Sequence, residues 1–125
     1  MITFSFDDET NIRTTRYSGT ITNEELIGAY RELLGRPDYE PTAFDLVDLR
    51  EVTEMNITGE GLLQLFSLFA PIDAGGYRTR TAFVAATDTT FELANMYATV
   101  RGAHAPETIH VFREYEDAVL WLQSA

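Results

Sequence analysis

Residues 44–62 read FDLVDLREVTEMNITGEGL, and this stretch decides the fold of the chain. Its first part, from Ala43 to Leu49, is short and mostly apolar, which is typical of a strand covered on both faces of a sheet. A polar turn follows, and the hydroxyl of Thr58 then precedes an apolar run that ends at Phe69. The stretch therefore predicts a central strand, a turn and the start of a helix.

The segment before this stretch predicts a β-hairpin and a helix. Residues 2–21 contain two strand-like runs on either side of a polar turn, which is the pattern of a hairpin. Thr22 and Glu25 have the spacing of a capping box, so a helix begins there. We expect Gly35 to end this helix in a left-handed conformation. The apolar stripe of the helix consists of Leu26, Tyr30, Leu33 and Leu34.

The helix that begins at Thr58 is apolar on nearly every side. Leu63 and Leu68 fall outside its main apolar face. Such a helix is either deeply buried or makes a second contact with a partner. Residues 71–78 are rich in Gly and carry a Pro, which predicts a loop after the helix. The main face consists of Leu62, Leu65, Phe66 and Phe69.

The remainder of the chain predicts two more strands, each followed by a helix. Residues 81–86 and 108–112 are the strands, and Thr87 or Asp88 caps the helix between them. We therefore expect one α/β domain over residues 1–125, with a mixed sheet of about five strands and four helices. The sheet combines the N-terminal antiparallel hairpin with three parallel strands. The stripe predicted for the third helix is Leu93, Met96, Tyr97 and Val100.

The composition excludes several classes of function. The chain has no cysteine, and all nine of its basic residues are arginines. Disulfides, thiolate metal sites and lysine-dependent cofactors are therefore excluded. A formal net charge of −11 opposes binding to nucleic acid or to an anionic membrane. We expect a cytoplasmic protein, because the sequence begins without a signal-peptide pattern and has no apolar run of about 20 residues.

Two polar clusters that follow strands define a candidate cleft. Asp48 and Arg50 lie near the end of the central strand, and Thr87 and Asp88 follow the next strand. Open α/β sheets usually hold their ligands at these carboxyl ends. A carboxylate beside an arginine could serve in acid–base chemistry or hold a divalent ion. A solvated turn with local ion pairs is the simpler interpretation of the first cluster, and helix capping is the simpler role of the second.

Other polar residues give weaker signals. His104 and His110 have no partner at metal-ligand spacing, so we expect neither a metal nor a cofactor. Tyr97, Arg101 and the loop 75–78 could line a cleft. Packing of the tyrosine and solvation of the arginine are their simpler roles.

Residues 47–62 resemble the signature of STAS domains, the anti-sigma-factor antagonists. In that signature an apolar strand ends in a polar residue and Leu, and a short turn leads to Met-Asp-Ser-Ser-Gly-x-Gly-Leu at the start of a helix. The register holds here without a gap. The chain as a whole resembles the SpoIIAA-like (STAS/SEC14-like) small proteins. The further stretches that carry this resemblance are 19–22, 24–26, 46–50, 116–118 and 121–122.

The resemblance implies a switch as well as a fold. In the antagonists a partner kinase phosphorylates the second Ser of the motif, which changes the binding of partners. The matching residue in this chain is Thr58, and its hydroxyl could also cap the helix. Three positions differ from the family pattern: Asn56 replaces Asp, Ile57 replaces the first Ser, and Glu60 replaces an apolar residue.

Two functions are compatible with these observations. The first is a non-enzymatic regulatory or protein-interaction domain, expected to be a homodimer or to bind an unidentified protein. The second is a carrier of a small apolar ligand, as in SEC14/CRAL-TRIO-like domains. Catalysis ranks below both, because the sequence offers no activated nucleophile and no metal constellation. The interaction surface would comprise Asn56, Thr58, Glu60, Leu63 and Leu68, and the carrier pocket would be lined by Phe66, Phe69, Phe83, Met96 and Tyr97.

Overall fold

A computed structural model of the chain describes residues 1–103, 105 and 107–124. His104, for which no metal site is expected, lies outside the described residues. Nine elements alternate along the chain after an initial pair of strands. They are β1 (Ile2–Asp7), β2 (Ile12–Thr22), α1 (Asn23–Leu34), β3 (Phe44–Asn56), α2 (Gly59–Asp73), β4 (Arg80–Val84), α3 (Asp88–Gly102), β5 (Thr108–Phe112) and α4 (Tyr115–Gln123).

The five strands form one mixed sheet in the order β1-β2-β3-β4-β5. β1 is antiparallel to β2, and each later strand is parallel to its neighbour. This arrangement confirms the predicted α/β fold with a hairpin, a mixed five-stranded sheet and four helices. β3 continues beyond its predicted end at Leu49 to Asn56, because it remains paired with β2 as far as Thr22.

Helices cover both faces of the sheet. α1, α2 and α3 pack on one face around a core that includes Ile21, Val47 and Leu65. α4 packs on the other face around a smaller core that includes Leu46 and Val84. Leu46 and Val47 belong to different cores because successive side chains of a strand point to opposite faces. The sheet is therefore the middle layer of three.

The buried face of α3 matches the predicted apolar stripe only in part, since Leu93 and Tyr97 are half-buried. Met96 and Val100 are 55% and 42% exposed, respectively. The fully buried residues of α3 are instead Thr90, Ala94 and Arg101. A small side chain lets the helix approach the sheet closely, and Arg101 is buried because it finds carboxylate partners. Hydrophobic spacing alone could not reveal this polar contact.

Two helix ends also differ from prediction. α2 includes Pro71 and continues to Asp73, inside the predicted loop. Tertiary contacts of its last turn outweigh the helix-breaking tendency of proline. Gly35 ends α1 with a φ of −86°, which is right-handed. The amide of Gly35 continues the helical pattern by donating to the carbonyl oxygen of Arg31 at 3.2 Å, and other residue types also adopt this right-handed conformation.

Candidate functional site

Thr58 caps α2 at the turn that follows β3. Its backbone is extended, with φ −103° and ψ 166°, and its side-chain oxygen accepts a hydrogen bond from the amide of Gly61 at 3.2 Å. This bond satisfies one of the backbone N–H groups that a helix leaves unpaired at its start, and such a cap contributes about 1 kcal/mol. The capping role predicted for Thr58 is confirmed.

Asn23 holds the same turn from the start of α1. Its side-chain nitrogen donates to Thr58 Oγ1 at 2.8 Å, and its side-chain oxygen accepts from the Thr58 amide at 3.1 Å. Gly61 makes room for this contact, since a β-carbon at that position would collide with the Asn23 side chain. The starts of α1 and α2 are therefore tied together. Asn23 and Thr58 are 35 residues apart, and no local pattern in the sequence predicts their pairing.

The predicted interaction surface is exposed around this turn, with one exception. Asn56, Thr58 and Glu60 are exposed, and Leu63 is 66% exposed. Leu68 is half-buried and packs against the core beneath α1, α2 and α3. The prediction that Leu68 lies outside the buried face is wrong. Leu63 is therefore the large apolar side chain that α2 presents to solvent near Thr58.

α3 adds exposed apolar side chains beside α2. The two helices contact each other through Phe66 of α2 and Tyr97 of α3, whose ring centroids lie 5.8 Å apart. Met96 and Val100 of α3 are exposed, as Leu63 of α2 is. Both helices thus leave apolar area that nothing within the described residues covers.

Asp48 and Arg50, the first half of the candidate cleft, form an ion pair on the α4 face of the sheet. The guanidinium of Arg50 donates to both carboxylate oxygens of Asp48, at 2.9 and 2.8 Å. It also lies 4.6 Å from the ring centroid of Tyr115. Burial tends to raise the pKa of Asp48, but hydrogen bonds from Arg50 outweigh it and lower that pKa below its usual value. Asp48 is therefore held as a carboxylate.

Thr87 and Asp88, the second half of the candidate cleft, do not bond to Asp48 or Arg50 but to other residues. Thr87 caps α3 by accepting from the amide of Thr90 at 3.2 Å. Asp88 pairs with Arg113 at 2.9 Å. The cavity and the surface groove described below are lined neither by these two residues nor by Asp48 and Arg50. As a ligand site, the candidate cleft stays a prediction.

A cavity of about 70 Å³ lies at the opposite edge of the sheet, where the parallel strands begin. Arg13, Asp45 and Thr81 are direct neighbours across β2, β3 and β4, and all three line this cavity. The sequence predicts a cleft at the other ends of the strands, the carboxyl ends, where ligands of open α/β sheets usually bind. Aromatic side chains complete much of the wall: Tyr30, Tyr39, Phe69, Phe83 and Tyr97.

Arg13 and Asp45 form a buried ion pair in this cavity. Arg13 is 6% exposed, and it donates to the two carboxylate oxygens of Asp45 at 2.8 and 3.1 Å. A third hydrogen bond joins Arg13 to the carbonyl oxygen of Glu40 at 3.1 Å. Burial raises the pKa of Asp45 despite the neighbouring guanidinium. In its three hydrogen bonds to Asp45 and Glu40, Arg13 uses three of its five N–H donors.

Arg101 joins two further carboxylates to the cavity wall. It is also 6% exposed, and it donates to both oxygens of Asp73, at 2.7 and 2.9 Å, and to Glu107 at 3.0 Å. Glu107 accepts a second hydrogen bond from the hydroxyl of Thr81 at 2.9 Å. The expectation that Arg101 is solvated is wrong. The alternative holds in part, because Tyr97, Arg101 and, from the loop 75–78, Tyr77 line this cavity.

The residues predicted for an apolar carrier pocket meet only in part. Phe69, Phe83 and Tyr97 line the cavity, whereas Phe66 does not and Met96 is exposed. The cavity volume of about 70 Å³ is well below the roughly 300–1,000 Å³ of typical ligand pockets. Its wall also contains two arginines and three carboxylates. The cavity therefore gives no support to a carrier of apolar ligands.

Comparison with known proteins identifies the fold. No protein-family model matches the sequence, and no curated protein matches it either. The structure is similar to that of an uncharacterized protein from the DUF3478 family, with a SpoIIAA-like fold, from Shewanella loihica PV-4. The TM-score is 0.60, and the match covers 98% of this chain and 92% of that chain. The fold is SpoIIAA-like.

The SpoIIAA-like fold confirms the resemblance found in the sequence. Identity to the Shewanella protein is 14%, so the likeness extends to the fold alone. In this SpoIIAA-like chain α2 begins directly after Thr58, as the STAS signature implies, whereas β3 continues through the predicted turn to Asn56. Among the described residues, no helix has the length and apolar character needed to cross a membrane.

Proposed function

We propose that this chain is a non-enzymatic regulatory domain of STAS type, which acts by binding a protein and first of all a second copy of itself. The observation that carries the proposal is the exposed Leu63 beside the tied turn at Thr58. The SpoIIAA-like fold supports it, because STAS-type domains share that fold. The partner surface comprises Asn56, Thr58, Glu60 and Leu63.

Leu63 supplies the binding energy at this surface. α2 buries only Gly61 and Leu65 fully, although it is the most apolar of the helices. Covering a large apolar side chain stabilises an interface by about 1.5–3 kcal/mol. A twofold-symmetric dimer would place the same patch of each copy in contact and so cover two Leu63 side chains.

Thr58 controls the surface. A phosphoryl group would add a charge of about −1.5 to −2 at the start of α2, where the helix dipole favours negative charge. The same group would displace Asn23, which now both donates to Thr58 Oγ1 and accepts from the Thr58 amide. It would also lie close in sequence to the exposed carboxylate of Glu60. Phosphorylation would thus loosen the tie between α1 and α2 and make the partner surface more acidic.

Sedimentation velocity of the Leu63→Glu variant tests the surface. We expect the unmodified protein to be a dimer and the variant a monomer with an unchanged circular dichroism spectrum, because residue 63 contributes little to the core. Leu120→Glu is the matched control, since Leu120 is also 66% exposed but lies on α4, across the sheet. It should remain a dimer. A Leu63→Glu variant that stays dimeric would remove this surface from the proposal.

A further inference from the structure

The cavity at the amino-terminal edge of the strands lies beside a groove on the protein surface. A surface groove of about 290 Å³ shares Arg13, Leu33 and Tyr39 with the lining of the cavity. Phe4 and Phe6 of β1 form another part of the groove. The shared residues place the groove next to the cavity. The groove is therefore the side from which a small molecule would approach the buried ion pairs.

The charged side chains that line the cavity carry a net negative charge. Arg13 and Arg101 face three carboxylates, those of Asp45, Asp73 and Glu107. Each carboxylate has about four lone-pair sites, and within the described part of the chain each of these three accepts two hydrogen bonds. Acceptor capacity is therefore left over beside a net negative charge. An anion would be repelled, whereas a cation with N–H donors would fit.

Two further features of the wall suit a cation. Among the described residues no hydrogen bond reaches the hydroxyl of Tyr97, which lines the cavity. The aromatic rings already hold cationic groups, because the guanidinium of Arg101 lies 4.7 Å from the ring centroid of Phe69 and that of Arg13 lies 4.8 Å from the centroid of Tyr39. Faces of such rings attract positive charge.

A metal ion does not match this site. The described residues contain no group of three histidine, cysteine, aspartate or glutamate side chains that could hold a metal ion. The two arginines already neutralise most of the carboxylate charge, and the aromatic walls offer no oxygen ligands apart from tyrosine hydroxyls. A hard divalent cation prefers six or more oxygen ligands. These properties favour an organic cation.

We propose that this cavity binds a small alkylammonium ion, with its N–H groups donated to Asp45, Glu107 and the hydroxyl oxygen of Tyr97. Its alkyl part would lie against Phe69 and Phe83. The volume of about 70 Å³ has room for about five water-sized groups, which limits the ligand to a short alkyl chain. This site is independent of the partner surface around Leu63.

Nuclear magnetic resonance of the arginine side chains tests the site. The chain has nine arginines, so the Nε–Hε spectrum contains nine signals at most. We expect propylammonium chloride to shift the Nε–Hε signals of Arg13 and Arg101 saturably. Sodium butyrate, 1-propanol and sodium chloride at equal ionic strength should leave both signals in place. Equal shifts with butyrate or propanol would overturn the assignment of a cation site.

Variants of the cavity wall distinguish binding from a general effect of charge. Glu107→Gln removes one negative charge from the wall and should weaken propylammonium binding at least about tenfold. Glu116→Gln removes one charge from an exposed site on α4, across the sheet, and should leave the affinity unchanged. Tyr97→Phe keeps the ring in the core and should weaken binding about threefold or more. Absence of any saturable shift in the unmodified protein would show that the cavity holds only water and would refute the proposal.

Discussion

Replacing Gly61 with alanine should lower the free energy of unfolding when residue 23 is asparagine and raise it when residue 23 is alanine. Alanine is favoured over glycine inside a helix by about 1 kcal/mol. Gly61 lies in α2, but a β-carbon there would collide with the Asn23 side chain. The alanine variant therefore gains helix propensity and loses the contact between Asn23 and Thr58.

The magnitude follows from the two hydrogen bonds that Asn23 makes. Asn23 is a side chain that can swing away, so the collision is relieved at the expense of its bonds to Thr58 Oγ1 and to the Thr58 amide. Two such bonds contribute about 2 kcal/mol together. Gly61→Ala should therefore lower the free energy of unfolding by about 1 kcal/mol in the natural sequence. In an Asn23→Ala background, the same change should raise it by about 1 kcal/mol.

Urea unfolding followed by tryptophan fluorescence measures these differences. The chain has a single tryptophan, Trp121, which packs against the core beneath α4 and so reports on global unfolding. Gly59→Ala is the matched control, since a β-carbon at Gly59 would meet nothing within 4 Å. Its effect should be the same in the natural sequence and in the Asn23→Ala background. Equal effects of Gly61→Ala in the two backgrounds would refute the proposed tie between α1 and α2.

Two further predictions concern a helix cap and an ion pair. Thr58→Ala should lower the free energy of unfolding by about 2 kcal/mol, because it removes a cap and a bond to Asn23. Thr22→Ala should lower it by only about 1 kcal/mol, because the Thr22 oxygen caps α1 by accepting a single hydrogen bond from the Glu25 amide. Equal losses for the two variants in urea unfolding would contradict the role of Asn23. Asp48→Asn should make stability less sensitive to acid. Because its folded pKa is lowered, the Asp48 carboxylate stabilises the protein above the unfolded pKa and loses this contribution as the pH falls through the folded pKa. The stability difference between the natural protein and the variant should therefore shrink in thermal unfolding as the pH falls, and a difference independent of pH would contradict this assignment.

The sequence predicted those parts of the structure that depend on local patterns. Thr22, Thr58 and Thr87 each precede a helix, and each caps it as expected. The last strand has its predicted bounds, Thr108–Phe112. Hydroxyl caps and strand-like runs act over a few residues, so their signals can be read from sequence alone.

The parts that the sequence did not reveal depend on contacts between distant residues. Arg101 lies 28 residues from Asp73, and Arg13 lies 32 residues from Asp45. No spacing rule joins residues so far apart, and a lone arginine near a helix end usually faces solvent. The packing of Leu68 against the core could not be predicted, for a related reason. Helical periodicity fixes which side chains share a face, but the position of α1 and the sheet decides which face is covered.

Native mass spectrometry of the protein purified gently from its own host tests the central claim most directly. The proposed function predicts a dimer, and a phosphoryl group on Thr58 in part of the population. Substitution of Thr58 by valine should abolish that added mass, because only this residue carries the modified hydroxyl. A bare monomer without modification would contradict both the homodimer and the switch.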